Sequence, residues 1–128
     1  MRILFDTHTL IWFLSDDRKL SESVRKLFSD PANEFFFSSV SIEEIAIKHA
    51  LKPDLMPCDP EEVRNDAVLS RLSELPFDSD AAVLVGRLPW VHRDPFDRML
   101  IAQAASKDMK LLSRDDNVLR YGAMTLGF

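Results

Sequence analysis

Cysteine, glycine and long apolar runs are scarce in this chain of 128 residues, and each shortage excludes a class of protein. The one cysteine, Cys58, excludes an internal disulfide and is typical of a protein of the reducing cytoplasm. The only glycines, Gly86, Gly122 and Gly127, are too scattered for a glycine-rich phosphate loop. No apolar run reaches the ~18 residues of a membrane span, so we expect no membrane segment.

What remains is the composition of a soluble globular protein, with 46% hydrophobic and 29% charged residues. We expect one domain that covers residues 1–128 and buries roughly two-thirds of the surface of the unfolded chain. The first residues are partly apolar, but they include Asp6 and His8 and lack a small-residue cleavage site. We therefore expect no signal peptide and a cytoplasmic location.

The net charge of −5 at first argues against a nucleic-acid partner, because affinity for phosphates comes largely from lysine and arginine. Carboxylates gathered around divalent cations would weaken this argument. Two bound Mg²⁺ ions would bring the formal charge to about −1, and the cations themselves would face the phosphates. Net charge therefore does not decide the class of partner.

Short apolar runs alternate with helical periodicity along the chain. This alternation predicts an α/β fold with a mostly parallel central sheet that is flanked by helices on both faces. Strands are predicted at residues 2–5, 35–39, 110–113 and 124–126. Helices are predicted at residues 7–14, 21–29, 41–51, 61–72, 79–86, 94–105 and 117–121.

One carboxylate lies on an apolar helix face, where it needs a partner. Asp97 falls near the centre of an arc formed by Phe96, Leu100, Ile101, Ala104 and Ala105. A carboxylate that faces a core costs several kcal/mol unless it is paired, protonated or bound to a metal. The preceding Asp94, followed by Pro95, has the pattern of a helix N-cap, so capping explains Asp94 but not Asp97.

Three further acids follow predicted strands. Asp6 comes directly after the first strand, Glu44 lies in the helix after the Phe-rich strand, and Asp115 follows the Leu-rich strand by two residues. Because ligands bind at the carboxyl ends of parallel strands, we expect these acids to converge with Asp97. Carboxylates with no histidine or cysteine beside them suit Mg²⁺ or Mn²⁺.

Each of these acids also has a purely structural interpretation. Asp6 and Asp115 are placed to cap the helices that follow them, and Ser41 and Glu44 have the spacing of a capping box. Helical projection places Glu43 deeper in the apolar arc than Glu44, so the pattern alone does not choose between them. The joint convergence of four acids favours a metal site over four independent caps.

Four segments, in order along the whole chain, carry a resemblance to a known family: MRILFDTHTL at residues 1–10, SIEEIAIK at 41–48, LPWVHRDPFDRMLIAQA at 88–104 and LSRD at 112–115. The third of these segments is highly specific. In them the chain resembles the PIN-domain nucleases, and in particular the VapC-type ribonuclease toxins of bacterial toxin–antitoxin pairs.

The resemblance implies a PIN-like three-layer α/β domain and a metal-dependent endoribonuclease that hydrolyses RNA phosphodiester bonds with Mg²⁺, or with Mn²⁺. It chooses Glu44 over Glu43, and it matches Thr7 and Ser113 to hydroxyl positions that orient the acids or water. The catalytic, metal-binding acids that it implies are Asp6, Glu44, Asp97 and Asp115.

The resemblance also implies two protein partners, a second copy of the chain in a homodimer and a cognate VapB-type antitoxin whose tail occupies or distorts the site. Some arginines are candidates for contacts with substrate phosphates or antitoxin acids, or equally for solvated charges and ion pairs with the acids. These are Arg87, Arg93, Arg98 and Arg114.

Two rival functions fit part of the pattern. A phospho-acceptor signalling domain is also a short acidic α/β chain, but it requires adjacent acids just after the first strand. This chain has Asp6 alone there, and Asp16 and Asp17 come too late. A catalytically silent antitoxin-binding relative would keep the fold without the activity, and the intact acids argue against it.

Overall fold

A five-stranded parallel sheet organises the chain in the computed structural model, which describes residues 1–128. Its strands lie in the order β3-β2-β1-β4-β5, so β1 is central, with Leu4 aligned to Phe36 on one side and Leu111 on the other. The strands are β1 (Arg2–Phe5), β2 (Glu34–Ser38), β3 (Ser73–Leu75), β4 (Lys110–Ser113) and β5 (Thr125–Gly127).

Helices connect the strands and cover both faces of the sheet, which confirms the predicted α/β class. No helix of the structure has both the length and the apolar character needed to cross a bilayer. The helices are α1 (Thr7–Leu14), α2 (Glu22–Ser29), α3 (Ser39–Leu51), α4 (Pro60–Leu69), α5 (Ser79–Val85), α6 (Pro95–Ser106) and α7 (Asp116–Leu119), with a 3₁₀ turn at Gly122–Met124.

The central strand divides the core into two layers because successive side chains of a strand point to opposite faces. Ile3 and Phe5 pack on one face with residues from α1, α2 and α4. Leu4 packs on the other face, mainly with residues of α6 such as Leu100 and Ile101. All five side chains are fully buried. The two layers hold β1 so that Asp6, directly after it, emerges at the carboxyl edge of the sheet.

The prediction of one helix over residues 61–72 is wrong at its end, because the chain turns and forms the extra strand β3 there. Helix α4 ends at Leu69, and Arg71 adopts a left-handed backbone with φ of 67°. Strand β3 is short, largely exposed and pairs only with β2 at the sheet edge. An edge strand of this kind has no run of apolar residues by which a sequence could reveal it.

The left-handed turn predicts that Arg71→Gly stabilises the protein. Arginine has a Cβ that disfavours positive φ and glycine does not, so we expect the free energy of unfolding to rise by about 0.5–1 kcal/mol in urea titrations. Asp108, with φ of 54°, provides the matched control. Aspartate tolerates this conformation better, so Asp108→Gly should gain less; an equal gain for both variants would contradict the backbone explanation.

Candidate metal site at the carboxyl edge of the sheet

A cleft of about 730 Å³ opens at the carboxyl edge of the sheet, and it contains all four acids expected there. Asp6 comes from the end of β1, Glu44 from α3, Asp97 from the first turn of α6 and Asp115 from the end of β4. The residues that line the cleft are Asp6, His8, Trp12, Lys19, Glu44, Lys48, His92, Asp94, Asp97, Arg114 and Asp115.

Asp6 caps a helix and also faces the cleft. Its Oδ1 accepts a hydrogen bond from the backbone N–H of Thr9 at 2.9 Å, so the capping interpretation is correct. Its side chain is nevertheless almost entirely buried, and this burial raises its pKa, although hydrogen bonds from Ser113 and Thr9 oppose the rise. A buried, hydrogen-bonded carboxylate of this kind is held in one orientation, as a metal ligand must be.

The start of α3 decides between Glu43 and Glu44. The hydroxyl of Ser38 caps this helix by accepting a hydrogen bond from the N–H of Val40 at 2.9 Å. The capping-box interpretation of Ser41 and Glu44 is therefore wrong, because Ser41 lies inside the helix. Glu44 is 3% exposed and lines the cleft, whereas Glu43 is exposed to solvent and does not.

Polar neighbours hold Glu44 in place. Its Oε1 accepts a hydrogen bond from the hydroxyl of Thr7 at 2.7 Å, and Thr7 Oγ1 lies 3.0 Å from the hydroxyl of Ser41. Lys48, one turn later in α3, forms an ion pair with Glu44 Oε2. Helical projection favours Glu43 wrongly because these polar contacts, and not an apolar arc, define the inward side of α3 at this point.

The charge of Lys48 responds to the acids around it. Partial burial lowers its pKa, but the hydrogen bond and the charge of Glu44 raise it, as do the charges of Asp94 and Asp97, and the net shift is upward. Lys48 is thus a fixed cation on the wall of an acidic cleft. Lys48 is not among the site residues that the sequence predicts.

The partner that Asp97 needs is a histidine. Asp94 caps α6 as predicted, its Oδ1 accepting hydrogen bonds from the N–H groups of Phe96 at 2.9 Å and Asp97 at 3.1 Å. The Asp97 side chain is left to point into the cleft, where its Oδ2 accepts a hydrogen bond from Nε2 of His92 at 2.7 Å.

Burial raises the pKa of Asp97 to about 6, and the charges of Asp94, Asp6 and Glu44 act in the same direction, while the hydrogen bond from His92 lowers it. Neighbouring acids thus repel one another across the cleft. A cation placed among them would remove that repulsion.

His92 was missed because it has no ligand-like spacing to the other histidines, His8 and His49. Its position is set by the start of α6: Asp94 caps the helix, and the imidazole of His92, two residues before the cap, contacts the carboxylate of Asp97 in the first turn. One ligand atom each of His92, Asp97 and Asp115 lie within 4.8 Å of one another. Asp115 also caps α7 through the N–H of Asn117 at 2.8 Å, so capping and clustering coincide there as well.

The two hydroxyls expected to orient the acids lie behind the cleft wall. Thr7 and Ser113 are both buried, and they hydrogen-bond to Glu44 and Asp6 respectively. Ser113 Oγ also accepts a hydrogen bond from the N–H of Asp115 at 3.1 Å. Each hydroxyl therefore contacts a carboxylate of the cleft directly.

The four candidate arginines have different environments. Arg114 is exposed and lines the cleft, whereas Arg87 and Arg93 are exposed elsewhere. Arg98 is buried, and its guanidinium donates to carbonyl oxygens and to the hydroxyl of Tyr121 in the interior. The interpretation of Arg98 as a contact for substrate or antitoxin is therefore wrong, because its charge does not face solvent.

A family model described as "PIN domain" matches residues 3–124. The chain belongs to the PIN domain family. No curated protein matches this PIN domain, but several solved structures share its fold.

Two of the similar structures are VapBC proteins bound to DNA, and a third is VapBC-1. VapBC2 from Rickettsia felis bound to a DNA fragment from its promoter has a TM-score of 0.70 and 15% identity, covering 100% of this chain and 99% of that one. DNA-bound VapBC from Salmonella typhimurium has a TM-score of 0.69 and 20% identity, covering 99% and 98%. VapBC-1 from nontypeable Haemophilus influenzae has a TM-score of 0.63 and 14% identity, covering 100% and 97%.

The donor set of the PIN domain cleft fits a hard divalent cation. Its carboxylates are oxygen donors, and the most buried of them are held by hydrogen bonds. Burial, together with the charges of the neighbouring acids, raises the pKa of Asp97. His92 adds one nitrogen beside Asp97 and Asp115. These donor atoms, carboxylate oxygens and one imidazole nitrogen, are the basis for assigning a divalent cation to the cleft.

The raised pKa predicts that Asp97→Asn stabilises the metal-free protein. Because the pKa of Asp97 in the folded protein lies above the ordinary 3.8, its ionisation opposes folding above pH 6. We expect the variant to raise the free energy of unfolding at pH 7.5 by about 1–3 kcal/mol, and the gain to shrink as the pH falls towards 4. Urea unfolding in the presence of a chelator, at pH 7.5 and at lower pH, measures the gain in stability and its dependence on pH.

Asp54→Asn is the control, because Asp54 is exposed in a loop away from the cleft. It should change the free energy of unfolding by no more than about 0.5 kcal/mol. A gain for Asp97→Asn that is independent of pH would show that the acids do not repel one another as described.

Proposed function

We propose that this PIN domain is a Mg²⁺-dependent endoribonuclease, a VapC-type toxin that hydrolyses RNA phosphodiester bonds and is inhibited by a cognate antitoxin. The observation that carries the proposal is the convergence of four carboxylates from four separate segments on one cleft: Asp6, Glu44, Asp97 and Asp115. Membership of the PIN domain family supports the same activity.

These four acids would hold Mg²⁺, or Mn²⁺, with the His92 nitrogen beside two of them. When bound, the metal would lower the pKa of a coordinated water and offset the charge that grows on the phosphate and on the leaving oxygen. The protein's own contribution is to fix the carboxylates before substrate arrives. Thr7 holds Glu44 in place. Asp6 is held by Ser113 and by the N-terminus of α1, and Asp97 is held by His92.

The residues around the acids suit an RNA backbone. Lys19, Lys48 and Arg114 line the same cleft and provide positive charge for phosphates, which the net charge of −5 conceals. Trp12 and His8 lie among them and supply aromatic rings for contact with an unpaired base, and the Lys19 ammonium lies over the Trp12 ring, 5.5 Å from its centre. The cleft thus combines binding groups for a polyanion with an acidic centre for the metal.

The partners are inferred from the solved relatives, which are VapBC and FitAB complexes. We infer a VapB-type antitoxin for this chain, and a homodimer. Large apolar side chains beside the cleft support a protein interface: Leu51 and Leu55 are 75% and 76% exposed, and both lie next to His8 and Lys48. Neighbouring exposed apolar side chains of this size are typical of surfaces that another protein covers.

A phospho-acceptor signalling domain is a weaker alternative in view of the topology. Its flavodoxin-like sheet has the order 2-1-3-4-5, whereas this sheet has the order 3-2-1-4-5. A catalytically silent relative would share the fold, but the hydrogen bonds that hold Asp6 and Glu44 in the cleft argue for a working site.

The proposal predicts RNA cleavage that depends on a divalent metal and on Asp97. Purified protein, freed of any antitoxin, should cleave labelled RNA with Mg²⁺ and stop when excess chelator is added. Asp97→Asn should slow cleavage by roughly 100-fold or more, because it removes a charged ligand while keeping the side-chain shape. Product formation on denaturing gels measures the rate.

Asp116→Asn is the matched control, because Asp116 is an exposed acid next to Asp115 that does not line the cleft. Its rate should equal that of the natural sequence. Cleavage that persists in chelator, or full activity of Asp97→Asn, would falsify the metal mechanism. Transfer of a labelled phosphoryl group to the protein would instead support the signalling alternative.

A further inference from the structure

A buried cation lies directly behind the cleft. Arg98 follows Asp97 in α6, is only 2% exposed, and takes part in none of the six ion pairs of the structure. A buried charge without a counter-ion is expensive unless hydrogen bonds satisfy it fully. The positions of its hydrogen-bond acceptors therefore indicate the role of Arg98.

Three of its four acceptors are carbonyl oxygens at the end of α5 and in the connection between α5 and α6. Nη1 of Arg98 donates to the carbonyl oxygen of Pro89 at 2.9 Å, and Nη2 donates to the carbonyl oxygens of Val85 at 2.7 Å and Leu88 at 3.4 Å. Nη1 also donates to the hydroxyl of Tyr121 at 2.9 Å. The planar guanidinium thus binds several points of one connection at once.

Two aromatic residues complete this arrangement. The hydroxyl of Tyr121 donates to the carbonyl oxygen of Pro89 at 2.8 Å, so Pro89 is held twice. The ring of Trp90 lies over the guanidinium at 3.8 Å, although Trp90 itself is 74% exposed. An exposed tryptophan in this place covers the buried charge from solvent through a cation–π contact. We name Arg98, Tyr121 and Trp90 the guanidinium clamp.

The segment held by the guanidinium clamp leads directly to His92, two residues after Trp90. His92 reaches back to Asp97, the neighbour of Arg98 in α6, with Nε2 and Oδ2 2.7 Å apart. Both ends of the connection are therefore anchored on the same turn of one helix. Between these anchors only the hydrogen bond from Arg120 Nη1 to the carbonyl oxygen of Val91, at 3.4 Å, ties the backbone to another element.

We infer that Arg98 is a positioning residue, which acts with Tyr121 and Trp90 to fix the connection between α5 and α6 and thereby holds the His92 imidazole against Asp97. This arrangement belongs to the metal-free folded protein. Only its consequence for cleavage rests on the proposed function.

The test follows the imidazole nitrogens of the three histidines by ¹⁵N NMR at one fixed pH, with His92→Asn used to assign the His92 signals. Tyr121→Phe removes the hydroxyl shared by Arg98 and Pro89, and Arg98→Met removes the cation. In both variants we expect the His92 signals to move towards those of a free imidazole, while the signals of His8 and His49 stay in place.

Amide hydrogen exchange gives the second measurement. Loss of the guanidinium clamp should speed exchange in the segment 86–94 by about tenfold or more, because its carbonyl anchors are gone. Val24→Ala is the matched control, since Val24 is a buried residue of α2 in the other core layer and its truncation lowers stability without touching the connection. It should change neither the His92 signals nor the local exchange.

Unchanged His92 signals in a folded Tyr121→Phe or Arg98→Met variant would overturn the inference, as would an equal response to Val24→Ala. If Arg98→Met does not fold, Tyr121→Phe decides, because phenylalanine fills nearly the same volume. In an active protein, Tyr121→Phe should lower kcat by about tenfold and leave KM for RNA unchanged, since the clamp residues do not line the cleft. An inactive natural sequence would overturn the proposed function and leave the spectroscopic result standing.

Discussion

Electrostatic repulsion among carboxylates at the carboxyl edge of the sheet is the constraint around which this fold is arranged. Asp6 and Glu44 are nearly fully buried, and burial raises the pKa of Asp97 to about 6, with the charges of Asp94, Asp6 and Glu44 adding to the rise. Without other stabilising contacts, carboxylates this close together would take up protons or force the cleft open. The structure opposes this with the N–H groups of three helix starts, the hydroxyls of Thr7 and Ser113, and the cation of Lys48.

Helix caps and candidate metal ligands are the same residues at two positions of the cleft. Asp6 and Asp115 each accept a hydrogen bond from the first turn of a helix while they face the cleft, and Asp94 does the same beside Asp97. The positive ends of three helix dipoles therefore point towards the acidic centre, which reduces the repulsion among the acids. From the sequence alone, capping and metal binding are competing interpretations of each acid. In the structure, one carboxylate can cap a helix and also face the cleft as a candidate metal ligand.

Much of the fold and the outline of the site could be predicted from the sequence, because they depend on local patterns. The buried strands are apolar runs, and Asp97 stands out on its helix because its neighbours are apolar. What could not be predicted depends on contacts between distant segments. Strand β3 has no apolar pattern of its own. Glu44 is turned inward by Thr7, a residue of another helix.

Arg98 and His92 show the same limit most clearly. An arginine beside an acid of the cleft resembles a contact for phosphate, and nothing in its neighbours along the chain shows that carbonyl oxygens enclose it. A histidine five residues before an acid becomes its partner here because α6 begins between them at the Asp94 cap, and the spacing alone does not show this contact.

The guanidinium of Arg98 recognises carbonyl oxygens, and these are present at every residue whatever its side chain. The connection between α5 and α6 is therefore specified by its length and path more than by its composition. Substitutions at exposed positions such as Arg87 leave these acceptors in place, whereas inserting or deleting one residue would offset every carbonyl from its donor and move His92 away from Asp97. The loop that borders the cleft is thus free to vary in surface chemistry and constrained in its number of residues.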